Sequence, residues 1–66
     1  MKFDNAFLTK SGNVGMQFVQ KDVTYSAYTN DKGKLVLSEH ASEQQKAAMS
    51  AIYRKRLPQY MPKKAL

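Results

Sequence analysis

The spacing of apolar residues changes once along this chain, and the change divides it into two kinds of structure. From Val14 to Ala27 apolar positions recur mainly at every second residue; after Ser42 they recur at every third or fourth. A period of two belongs to a strand with one buried face, and a period near 3.6 to a helix with one buried stripe. Val14, Met16 and Phe18 alternate with Gly15 and Gln17, and Val23, Tyr25 and Ala27 alternate with Thr24, Ser26 and Tyr28. In the segment before them, simple alternation puts Phe3, Asn5 and Phe7 on one side and Asp4, Ala6 and Leu8 on the other. Past Ser42, residues Ala48, Met49, Ile52 and Tyr53 fall within one helical arc, with Leu57 at its edge and Glu43, Lys46, Ser50 and Arg54 opposite.

Turn and cap residues set the boundaries. Ser11-Gly12-Asn13 favours a hairpin, and Asn30-Asp31-Lys32-Gly33 suits a type I turn closed by a left-handed residue. Gln20-Lys21-Asp22 is a weaker break, which leaves open either a turn or one long bent strand. Gly15 inside a strand pattern implies a bulge or a close approach. Ser38 and Ser42 both suit an N-cap; Ser42 is the better, because Gln45 three residues on completes a capping box. Pro58 disfavours helical geometry at Leu57, so the helix is expected to end there. Strands are expected over 2–9, 14–20, 23–29 and 34–38. The fold class that follows is α+β: a small antiparallel β-meander of three or four strands packed on one C-terminal helix. Residues 1–57 form that single domain, and 58–66 an extended, basic, Pro-containing tail.

A chain of 66 residues has little core to spare. It buries only about 60% of its unfolded surface, so its stability is marginal without help. With no cysteine there is no disulfide, and one histidine, His40, does not make a structural zinc site. No metal and no cofactor is expected, and association with a partner or a second copy is the natural supplement. The apolar runs Ala6-Phe7-Leu8 and Leu35-Val36-Leu37 are three residues long, far short of the ~20 that span a bilayer, and the start of the chain lacks an apolar signal region. A cytoplasmic protein without a membrane role is expected.

Catalysis is not expected either. His40 beside Ser38 and Glu39 is a run of neighbours whose side chains diverge, not a triad. Asp4, Asp22, Asp31, Glu39 and Glu43 lie mostly at turns and caps, and Asp31-Lys32-Gly33 lacks the glycine-rich run of a phosphate loop. No stretch carries an RNA-recognition, KH, cold-shock, helix-turn-helix or zinc-binding signature.

Charge is the remaining signal. Residues 1–43 balance five lysines against five acids; residues 44–66 hold Lys46, Arg54, Lys55, Arg56, Lys63 and Lys64 and no acid, so the net charge of +6 resides there. Cations near phosphates release counterions, and aromatic rings stack on unpaired bases. Lys46, Tyr53, Arg54, Lys55, Arg56, Tyr60, Lys63 and Lys64 are therefore the candidate binding residues, with Tyr53 or Tyr60 stacking. Tyr28, on an open sheet face, is a second candidate for stacking. The expected partner is nucleic acid. The alternative is an acidic protein surface engaged by a small inhibitor or adaptor of phage or mobile-element type; a homodimer is a third reading. The bland explanation of Arg54-Lys55-Arg56 is that they sit in the last helical turn and complement its dipole.

Overall fold

The computed structural model describes residues 1–60. It is a four-stranded antiparallel meander, β1 (Lys2–Leu8), β2 (Val14–Gln20), β3 (Val23–Thr29) and β4 (Leu35–Leu37), followed by one helix, α1 (Glu43–Tyr60). The strands lie in chain order, and α1 covers one face of the sheet. Val14, Met16, Phe18, Tyr25 and Ala27 meet Ala41, Met49 and Tyr53 in the core, with Phe3, Ala6, Leu35, Leu37, Ile52 and Leu57 around them. Among the described residues no helix is long and apolar enough to cross a membrane.

Three hairpins of two kinds join the strands. In the first, Gly12 N–H donates to the Thr9 carbonyl and Thr9 N–H to the Asn13 carbonyl; in the third, Gly33 and Asn30 N–H do the same with Asn30 and Lys34 carbonyls. Both turns close on a glycine at positive φ, 81° at Gly12 and 80° at Gly33. The Asn13 side chain then donates to the carbonyls of Thr29 and Asn30 at 3.1 and 3.0 Å, which ties these two turns together at one end of the sheet. The middle hairpin settles the open question at 20–22. Gln20 pairs with Val23, and Lys21 and Asp22 alone make the turn, with φ of 52° and 65°. Positive φ at both central residues is the type I′ geometry that matches strand twist.

Gly15 is a close approach and not a bulge: Phe7 pairs with it, and a Cβ there would lie well inside van der Waals contact of Phe7 Cζ. The bulge lies in β1 instead, between Phe3 and Asn5. It overturns the simple alternation of that strand. Phe3 pairs with Phe18, Ala6 with Met16 and Leu8 with Val14, so all three take the helix side, while Asn5 and Phe7 take the open side. One extra residue at Asp4 lets both Phe3 and Ala6 reach the core.

The helix begins as expected. Ser42 N–H donates to Gln45 Oε1 at 2.8 Å and Gln45 N–H to Ser42 Oγ at 3.1 Å, a reciprocal capping box. Gln45 also ties the cap to the sheet, its amide donating to Gln20 Oε1 and the Tyr25 hydroxyl. Ser38 is used elsewhere: its Oγ accepts from Ser26 N–H at 2.7 Å. The end of the helix differs from expectation. It runs through Pro58 to Tyr60. A proline at this position removes one N–H, the partner of the Arg54 carbonyl. Arg54 and Pro58 are both exposed, so water can satisfy that carbonyl. Leu57 packs on the core and Tyr60 lies 6.4 Å from Phe3, ring to ring, which holds the final turn in place.

Candidate nucleic-acid interface

Extending α1 by a turn changes the meaning of its charges. The last turn now contains no basic residue, so Arg54, Lys55 and Arg56 lie one turn inside the helix end. The dipole's influence falls off within the last turn, so complementing it is a weak reason for three cations here. Arg54 and Lys55 are exposed and Arg56 is half-buried. Arg56 falls seven residues after Met49, on the edge of the apolar stripe, and its guanidinium lies over the Phe3 ring at 4.0 Å from the centroid. Phe3 in turn meets Phe18 edge-on at 6.0 Å, so the cation sits on an aromatic pair rooted in the core.

Around this pair is a cleft of about 470 Å³ lined by Lys2, Phe3, Ile52, Lys55, Arg56 and Gln59. It offers cations from two parts of the chain, an aromatic floor and one amide side chain. An arginine over an aromatic ring is pre-positioned, and its fork of N–H groups suits phosphate oxygens. Lys55 adds a point charge beside it, and Lys2 stands at the rim, where its register with Val19 turns it toward the open face of the sheet. Tyr60 lies 6.4 Å from Phe3, ring to ring, and keeps 37% of its surface exposed.

The structure therefore brings together Lys55, Arg56 and Tyr60 and adds Lys2, Phe3 and Gln59. Arg54 projects about 100° from Lys55 around the helix and about 200° from Arg56, so it addresses a different side. Lys46 stands apart, ten residues or ~15 Å up the helix axis from Arg56, with its ammonium 4.0 Å from Glu43. Such an exposed pair contributes little stability, but it leaves Lys46 partly compensated. Tyr53 is corrected outright. It is 2% exposed, its hydroxyl donates to the Val14 carbonyl at 2.6 Å and, with that proton committed, accepts from the Thr29 hydroxyl at 2.6 Å. Its ring is core and unavailable for stacking. Lys63 and Lys64 lie outside the described residues.

Tyr28 is on the open face, paired with Gly15 and Val36. Leu8 is on the opposite side, and Phe7 is the neighbouring aromatic across Gly15. Lys2 is the only cation that the strand registers place on this face. The cations from α1 lie on the other side of the sheet, so Tyr28 does not share a site with them.

The sequence carries one signal for part of this site: continuing the helical stripe from Met49 by seven residues reaches Arg56. It carries none for Lys2 and Phe3, which arrive from the opposite end of the chain through the β1 edge. Comparison with protein-family models, with characterised proteins and with solved structures finds no match.

Proposed function

We propose that the protein is a small non-catalytic nucleic-acid-binding module that grips the phosphate backbone at the cleft between β1 and the end of α1. The observation that carries this reading is Arg56 over Phe3, flanked by Lys55 and Lys2. Arg56 takes a phosphate in its guanidinium fork, Lys2 and Lys55 neutralise its neighbours, and a strand that continues round the helix past Lys55 meets Arg54 on a different side. Tyr60 offers its exposed side to an unpaired base. Recognition of this kind reads backbone geometry and leaves sequence unread.

The test is a salt titration of binding to single- and double-stranded DNA and RNA. Engagement of about four phosphates gives a log–log slope of roughly −3 for single strands and −3.6 for duplex. Absence of binding at low salt, or a slope unchanged when Lys2, Lys55 and Arg56 are all replaced by glutamine, refutes the assignment. Capture from lysate that survives nuclease treatment would instead favour an acidic protein surface as the partner.

A further inference from the structure

The two outer strands differ in reach: β4 pairs with three residues of β3, whereas β1 runs the length of β2. Beside β4 the connection to the helix closes the edge of β3: Ser38 N–H donates to the Ser26 carbonyl, Ser26 N–H donates to Ser38 Oγ, and His40 Nε2 donates to the Thr24 carbonyl at 3.0 Å. His40 also stacks on Tyr25 at 4.6 Å, which fixes that cover. At the other edge no described residue pairs with β1 on its outer side.

The phase of the free groups follows from the first hairpin. Thr9 N–H points to β2, where it meets the Asn13 carbonyl. Direction alternates along an antiparallel strand, so Phe7 and Asn5 also point inward to β2, and Ala6 and Leu8 turn their N–H and C=O groups outward. These two residues form a straight segment past the bulge at Asp4. Leu8 is 71% exposed, on the helix side of the sheet. Next to it is an apolar hollow of about 290 Å³ lined by Ala6, Phe7, Leu8, Val14 and Tyr60.

We infer that this edge is a self-pairing interface, and that its occupant is β1 of a second copy of this chain. A two-fold axis through Phe7 pairs Ala6 with the partner's Leu8, and Leu8 with the partner's Ala6. Every outward N–H and C=O of the straight segment then finds a partner, in four intermolecular hydrogen bonds. Leucine lies beside alanine on the helix side, so each Leu8 enters the other copy's hollow where the small residue leaves room. The same register sets Asp4 opposite the partner's Lys10 at both ends of the pairing. The neighbouring registers are worse. An axis at Ala6 brings Lys2 towards the partner's Lys10, and an axis at Leu8 carries Ala6 onto the partner's turn residue Lys10. Lysine and a bulge commonly protect an edge from pairing. Here the flanking charges are of opposite sign, so antiparallel self-pairing joins them. The cleft at Phe3 lies outside the segment from Ala6 to Leu8 that carries these four bonds.

Sedimentation equilibrium on the full chain, from micromolar to millimolar, tests the inference together with amide exchange. The expected mass rises from 7.5 kDa towards twice that value. The amides of Ala6 and Leu8 become protected as concentration rises, while that of Phe7 is protected throughout. Leu8→Lys, at an exposed position, weakens association by about tenfold or more with an unchanged circular dichroism spectrum. Asp4→Lys weakens it too, and Asp4→Lys with Lys10→Asp restores it, a rescue that only the Phe7-centred register provides. A mass of 7.5 kDa at millimolar concentration overturns the inference. So does a dimer indifferent to Leu8→Lys, a failed rescue, or a monomer whose Ala6 and Leu8 amides are protected at every dilution.

Discussion

The first three turns of α1 and its last two follow the same stripe under different constraints. From Ser42 to Tyr53 every polar group on the sheet side has a partner: the capping box, Gln45 with Gln20 and Tyr25, and Tyr53 with Val14 and Thr29. Among the described residues no buried side-chain nitrogen or oxygen lacks a hydrogen bond. From Arg54 to Tyr60 the stripe ends in a cation over a ring and a half-exposed tyrosine, and none of the three basic residues has an acidic partner among the described residues. Tyr53 and Tyr60 show the contrast in one residue type. Seven positions apart on one face, one is a hydrogen-bonded core residue and the other an open ring. A polar group fixed from two sides is structural; a charge placed beside a cleft with no protein partner is available to something else.

Substitutions in the first region should move stability and leave binding alone. Met49→Ala is expected to have the largest effect. Met49 is fully buried, and its truncation costs about 3 kcal/mol, most of the net stability of a core this small. Thermal denaturation should find the variant barely folded at room temperature. Tyr53→Phe follows at about 2 kcal/mol, because the buried Val14 carbonyl loses its donor. The melting temperature should fall by roughly 8–16 °C, given about 4–8 °C per kcal/mol for a domain of this size, with an unchanged salt slope for nucleic acid. A Tyr53→Phe variant that folds normally but loses binding would erase the distinction between the two regions.

The reverse pattern is expected past Arg54. Arg56→Gln gives up a cation–π contact of about 0.5–1 kcal/mol, and it also lowers the magnitude of the salt slope by about 0.7–0.9. Arg54→Gln should change stability by less than about 0.5 kcal/mol while lowering the slope by a similar amount. Paired melting and titration measurements on these variants sharpen the comparison, since a purely structural arginine would move only the first.

Much of the frame was legible because local chemistry determined it. Asn30 to Gly33, the Ser42–Gln45 box and the Val14-Met16-Phe18 alternation each depend on residues within a few positions of one another. Gly15 was legible as an oddity whose cause, Phe7, sits across the sheet. What escaped was set by distant partners. The bulge at Asp4 exists because Phe3 and Ala6 both have places in a core built from α1 and β2. Pro58 remains helical because Leu57 and Tyr60 are anchored on residues far away in sequence, which outweighs the preference of the residue before a proline. The same blindness applied to the site: charge segregation pointed to the end of α1 but not to Lys2 and Phe3, and Tyr53, both a member of the apolar arc and a stacking candidate in the sequence, is decided by its hydroxyl's bond to the distant Val14 carbonyl.

The meander order also has a consequence in time. Strands adjacent in the chain are adjacent in the sheet, so each hairpin closes a short loop, and such topologies fold quickly. The middle hairpin has the shortest loop, yet its two turn residues, Lys21 and Asp22, both hold a backbone conformation that glycine and asparagine adopt more readily. That hairpin joins the two central strands, on which both outer strands assemble. Lys21→Asn with Asp22→Gly should therefore stabilise the protein by about 1 kcal/mol, with the gain appearing as faster refolding in stopped-flow measurements and the unfolding rate nearly unchanged. On that expectation, the turn with the fewest residues sets how fast the chain acquires a sheet for its helix to land on.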